Sequence, residues 1–196
     1  MNPQASVQGC PGWFGKIPSL GDFATRRLPS TFIEPWDEWL STELSEARFV
    51  LADTWNAVYK QAPISCFSLG PGTVGDHTWH GILVPSFDRV GRQFPLTIAL
   101  GLSPHASATM GRRWWAALVA SGRRALEPAC GAEGVEEALA IVAAEPDVPS
   151  VEPALATFEE GTSTWWAWPE NPPDAVSSIT RGLPRAACFR KLFGAH

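Results

Sequence analysis

The apolar periodicity of this chain comes in blocks, and their order constrains the fold more than any single motif does. Phe32, Ile33, Trp36, Trp39, Leu40, Leu44 and Ala47 form a stripe of helical period, with Asp37, Glu38, Ser41 and Ser45 on the other side. Three β-branched or aromatic-rich segments follow at 64–69, 78–84 and 94–102, divided by Gly and Pro clusters. They read as strands, arranged as a meander in one sheet. The helical period returns over 110–126, where Trp114, Trp115, Leu118, Val119, Gly122 and Leu126 share a face and Arg112, Arg113, Arg123 and Arg124 lie mostly opposite. Elements grouped in this way predict an α+β fold rather than a doubly wound parallel one. The expected architecture is a mainly antiparallel sheet flanked by helices, an α/β/α-type sandwich.

The remaining segments fill in that plan. Residues 1–11 are polar and carry Pro, and read as a loose leader to a single domain over 12–196. A short strand is expected at 13–17, ended by Pro18, and the run from Pro18 to Asp22 has turn chemistry. Thr31 and Glu34 could form a capping box for the first helix, but Pro35 would cost a hydrogen bond if the helix began so early. Its start is therefore expected between Phe32 and Pro35, with helix resuming over 50–59. A further helix is predicted at 135–144, an exposed Pro-rich connection at 145–153, strands at 163–168 and 175–180, and a short terminal helix at 185–193.

The 196 residues are 45% hydrophobic, with ten Trp and ten Phe, which is ample material for one core. The formal net charge is -5 and neither half is basic. That excludes the electrostatic footprint of a nucleic-acid binder and argues against an anionic membrane surface. No apolar stretch is long enough to span a bilayer, and residues 1–9 lack a signal-peptide pattern. Cys10, Cys66, Cys130 and Cys188 are scattered without a CxxC pair, as reduced thiols of a cytoplasmic protein would be.

Motifs for chemistry are weak. Gly70-Pro71-Gly72-Thr73-Val74-Gly75 matches GxGxxG, but a strand is expected next rather than the helix whose amides would hold a pyrophosphate. A hairpin connection is the simpler reading. His77 and His80, three apart on a strand, would point to opposite faces and could not share a metal without a bulge. Cys66 lies in an apolar run and reads as a packed thiol. The pairs Asp37-Glu38, Glu136-Glu137 and Glu159-Glu160 read as solvated faces rather than acid/base dyads. No nucleophile elbow, P-loop or HExxH is present. No cofactor, metal or catalytic residue is expected. The clustered Trp residues read mainly as core, with Trp79, Trp166 and Trp168 as candidates to line a ligand pocket if the chain is instead a small-molecule enzyme or binding domain. A structural subunit of a larger assembly is a third possibility.

Two segments carry more information. The first runs Gly12-Trp13-Phe14-Gly15-Lys16-Ile17-Pro18-Ser19-Leu20-Gly21-Asp22-Phe23, then Arg26-Arg27-Leu28-Pro29 and Phe32-Ile33-Glu34-Pro35-Trp36-Asp37-Glu38-Trp39-Leu40. The second runs Gly81-Ile82-Leu83-Val84-Pro85-Ser86-Phe87-Asp88-Arg89-Val90-Gly91-Arg92-Gln93-Phe94-Pro95-Leu96. Together they resemble the N-terminal domain of the TagF (ImpM) family of bacterial type VI secretion systems. The resemblance implies a cytoplasmic, non-catalytic accessory protein that represses the secretion apparatus post-translationally and is linked to a forkhead-associated scaffold protein. Some members are fused to a PP2C-type phosphatase; no phosphatase domain is seen here, so the regulatory half is what the resemblance implies.

Both segments contain loops that place charge between apolar anchors: Asp22, Arg26 and Arg27 in 18–27, and Asp88, Arg89 and Arg92 in 85–92. Two readings stay open. Asp22 or Asp88 could pair with an Arg as an internal clamp, since buried charges are normally paired. Alternatively, the six residues could form a recognition surface whose Arg side chains grip a partner's carboxylate or phosphate.

Overall fold

A computed structural model describes residues 9–103, 110–144, 159–168 and 178–195. Strands β1 (Gly12–Gly15), β2 (Ala24–Arg26), β3 (Ser65–Leu69), β4 (Thr78–Val84), β5 (Leu96–Leu102), β6 (Thr162–Ala167) and β7 (Ser178–Arg181) form one sheet in the order β2-β1-β5-β4-β3-β6-β7. Every neighbouring pair is antiparallel. Helices α1 (Ser30–Leu51), α2 (Trp55–Gln61) and α5 (Ala186–Lys191) supply side chains to the core on one face. Helices α3 (Arg112–Ala125) and α4 (Ala132–Ala144) supply the other. This is the expected α+β sandwich, and β3-β4-β5 is the expected meander.

The strands separate the two cores residue by residue. Phe14, Phe67, Leu69, Trp79, Leu83 and Trp165 turn to the α1 face, while Trp13, Cys66, Ile82 and Val84 turn to the α3 face. That is the period of two a pleated strand imposes. Because both faces are covered, β3, β4 and β5 are buried almost throughout. Their sequences therefore read as near-continuous apolar runs rather than as alternation. On the α1 face Trp36 is fully buried, with ring centroids 4.7 Å from Trp39 and 5.0 Å from both Phe32 and Phe67. Its indole N–H donates to Thr97 Oγ1 at 2.8 Å, so the ring is buried without an orphan donor.

Some boundaries differ from expectation. α1 begins at Ser30, ahead of the expected window, with Pro29 in the capping position and no side-chain cap, so the Thr31–Glu34 capping box does not form. The Pro29 carbonyl accepts from the amides of both Phe32 and Ile33 at 3.0 Å, and the helix carries Pro35 within it. Five buried apolar side chains from Trp36 to Ala47 hold that helix against the sheet, and this packing offsets the hydrogen bond lost at the proline. Strand β2 lies inside the segment read as a loop, where Ala24, Thr25 and Arg26 pair with Gly15, Phe14 and Trp13. The 145–153 connection and the leader up to residue 8 lie outside the described residues, as does the first part of the expected 175–180 strand.

Candidate functional site

The two charged loops meet at one end of the sheet, beyond the last residue of β1 and between β4 and β5. Asp88 is fully buried there. Its Oδ1 accepts from the amides of Val90 (3.1 Å) and Arg92 (2.9 Å), and its Oδ2 faces Arg92 Nε at 2.7 Å and Lys16 Nζ at 3.1 Å. An aspartate accepting amides two and four residues on is a self-made turn. Gly91, at φ 85°, supplies the left-handed residue that lets the loop close on the Asp88 carbonyl. Burial pushes the Asp88 carboxyl up, but the Arg92 amide, the Lys16 ammonium and the Arg92 guanidinium outweigh it. They hold the group well below the usual carboxylate range.

The same residues tie the loops together. Arg92 Nη2 donates to the Gly21 carbonyl at 2.8 Å, and the Arg89 amide donates to the Leu20 carbonyl at 2.9 Å. Buried Ser86 donates to the Lys16 carbonyl at 2.7 Å, and Tyr59 donates to the Ser86 carbonyl at 2.8 Å. Asp88, Lys16 and Arg92 therefore have the geometry of an internal clamp.

Arg26 and Arg27 lie toward the opposite end of β1. Arg27 takes a left-handed backbone (φ 60°), and its guanidinium donates to the Pro11 carbonyl at 2.9 and 3.1 Å and to the Glu136 carboxylate of α4. Trp13 Nε1 donates to the same carboxylate at 2.7 Å. Burial pushes Glu136 up, but the bonds from Arg27 and Trp13 prevail and its pKa falls. This is a second clamp, fastening α4 to the β1–β2 edge. It corrects the reading of Glu136 as part of a solvated face: only Glu137 of that pair is exposed. The pairing was invisible in the sequence because 109 residues separate the partners.

Three of the six candidate residues remain outside the clamps. Asp22 is exposed and accepts from the Phe23 amide at 2.8 Å. Arg26 is exposed, donates to the Thr25 carbonyl at 2.8 Å and lies 5.9 Å from the centre of the Trp13 ring. Arg89 is exposed, and its Nη2 lies 3.5 Å from where a Cβ on Gly21 would sit. Arg89 and Arg92 thus converge on the same glycine, but only Arg92 has a carboxylate partner among the described residues.

The other candidates are placed as follows. Gly70 follows β3 and the glycine motif turns the chain back into antiparallel β4, with the Gly72 amide on the Gly75 carbonyl at 2.8 Å: a hairpin. His80 is buried on the α3 face with Nδ1 2.8 Å from Ser68 Oγ, whereas exposed His77 sits against Trp79, which faces α1. Among the described residues no group of three His, Cys, Asp or Glu side chains could hold a metal. Cys66 is fully buried, and burial pushes its thiol far up. Trp79 packs in the α1-side core while Trp166 and Trp168 pack against the α3-side core, so the sheet stands between them and they cannot line one pocket.

The chain is thus a Trp-rich antiparallel sandwich with an Asp-Arg-Lys clamp tying two loops together at one end of its sheet. The family model described as the TagF N-terminal domain, type VI secretion system-associated, matches residues 12–142, and the chain belongs to the TagF family. The structure is also similar to the crystal structure of PA0076 from Pseudomonas aeruginosa PAO1, with a TM-score of 0.78, 30% identity and 95% of each chain covered. No curated protein matches. Among the described residues no helix is long and apolar enough to cross a membrane.

Proposed function

We propose that this chain is a cytoplasmic regulatory protein of a type VI secretion system that represses the apparatus post-translationally by binding a forkhead-associated scaffold protein, without catalysing a reaction. Membership of the TagF family supports the setting. The observation that carries the mode of action is the disposition of charge in the paired loops. Asp88 is paired with Lys16 and Arg92, and Glu136 with Arg27, so both carboxylates are committed to ion pairs of the fold. A reactive centre would hold such groups poised toward a cleft; here they stiffen a surface. Arg89 and Asp22 are left exposed at the loop end, and Arg26 toward the other end of β1, for a partner.

The test is made in cells carrying the intact secretion cluster. Raising the level of this chain is expected to lower recovery of secreted substrates while the amounts of the apparatus proteins stay constant. The purified chain is expected to bind the purified scaffold protein directly. Secretion that is indifferent to the level of this chain would overturn the repressor reading.

A further inference from the structure

The large apolar side chains exposed among the described residues are unevenly spread. Phe23, Phe49, Val50, Phe87 and Val90 belong to the loop end or to the adjoining end of α1; only Ile141 and Ile179 lie elsewhere. The end of α1 and the start of α2 are drawn to the 85–93 loop by Arg48 Nη2 on the Gln93 carbonyl (2.8 Å) and by Trp55 Nε1 on Gln93 Oε1 (2.6 Å). Phe23 is braced from below by Phe94 (4.7 Å) and Phe14 (5.8 Å), yet stays 44% exposed. Exposed apolar groups gathered on a stiff, internally bonded loop pair mark a docking surface rather than scattered surface residues.

From this we infer that the loop end docks a protein segment carrying an aspartate or glutamate beside apolar side chains. The carboxylate sits on the Arg89 guanidinium and the apolar groups sit on Phe87, Val90 and Phe23. The inference rests on the protein-binding reading above and gives that partner its chemistry. Charge selects the occupant. Arg92 already spends its Nε on Asp88 and its Nη2 on Gly21, whereas Arg89 beside it has no ion pair among the described residues. An incoming carboxylate takes bidentate bonds from Arg89 and relieves the repulsion between the two guanidinium groups. A second copy fits poorly, because a two-fold contact through this patch would set Arg89 near its own mate. A lipid surface fits poorly as well: a single Arg89 without an ion pair among the described residues matches one carboxylate, not the cluster of about four to eight basic residues that an anionic lipid surface needs.

The full chain carrying a photo-crosslinking benzoylphenylalanine in place of Val90 is irradiated in cells with an active secretion cluster, with position 179 as the remote control. The expected product is a covalent link to a protein segment in which Asp or Glu flanks apolar residues. Arg89→Glu should cut the yield at least tenfold without changing the unfolding temperature. Replacing the crosslinked carboxylate by Lys should restore the yield in that background. If the segment belongs to the scaffold protein, both readings stand. If it belongs to a different protein, the docking surface stands and the scaffold assignment falls. Links to a second copy or to lipid, equal yield from position 179, or indifference to Arg89→Glu overturn the docking surface and leave the repressor reading to its own secretion assay.

Discussion

Asp88 concentrates the consequences of burial in one carboxylate. Four donors hold it ionised where solvent cannot reach, so its folded-state pKa lies below its unfolded value near 4. The stability it contributes is complete above about pH 4 and is lost as pH falls through the folded-state value. Glu136 acts in the same sense. The expected thermal midpoint is level from about pH 7 to about pH 5 and declines below about pH 4. Asp88→Asn should lower the midpoint near neutrality by roughly 10 °C, because buried Lys16 loses its counter-charge, and should flatten the acid decline. Scanning calorimetry across that range checks both; an unchanged acid profile would show that Asp88 is not the clamp's centre. The neighbouring arginines should separate cleanly. Arg92→Ala removes a bond to Asp88 and one to Gly21 and should cost roughly 5 °C, whereas Arg89→Ala should leave the midpoint within about 1 °C and weaken partner capture.

At the scale of elements, close approaches decide what each strand and helix tolerates. Gly81 of β4 lies opposite Ala99 of β5, where an added Cβ would sit 2.5 Å from both the Ile98 carbonyl oxygen and Phe67 Cζ. Neither backbone nor a fully buried ring can yield, so Gly81→Ala should destabilise the fold by about 1–3 kcal/mol, measured by chemical denaturation. Gly122 does the same for α3, whose backbone it brings against Ile82 and Val84. Arg27→Ala should loosen α4 from the β1–β2 edge. The outcome to look for is faster amide exchange in α4 with little change in β3 and β4. These elements differ in how readable they were. The helical stripe of α1 and the apolar runs of β3 to β5 announced themselves, because continuous burial leaves an unbroken chemical signature. Strand β2 did not: none of its three side chains is buried, Thr25 and Arg26 are both exposed, and only pairing with β1 makes them a strand. Charge between apolar anchors made the Asp88 loop legible as a special place, since Arg92 lies four residues from Asp88; Lys16, outside the two charged loops, was not anticipated. The Arg27–Glu136 pair was not, because nothing local links a turn residue to a helix so distant in sequence.

The whole molecule depends on residues that lie beyond the stretch matching the family model. β6 pairs with β3 along its full length and carries Trp165 into the aromatic cluster around Trp36, at 6.1 Å. α5 brings Phe189 against Trp39 at 5.4 Å, and its following turn places Phe193 against Tyr59 at 5.5 Å. Glu43 of α1, itself buried, accepts the Ala186 amide at 2.7 Å and so fixes where α5 begins. A chain ending after residue 144 would strip β3 of its neighbour and leave Trp36, Trp39 and Phe67 facing water. It would also turn an interior strand into a long apolar edge of the kind that invites aggregation. Burying each such ring contributes roughly 1.5–3 kcal/mol, so losing several at once is comparable to the whole 5–15 kcal/mol by which domains are typically stable. The expected outcome is that the truncated chain aggregates or elutes as an expanded species without a cooperative unfolding transition, read by size-exclusion chromatography and near-ultraviolet circular dichroism. A monomeric product with a sharp transition would mean that the α3 and α4 face suffices to hold the sheet, and that the aromatic layer under α1 serves the docking end rather than the fold.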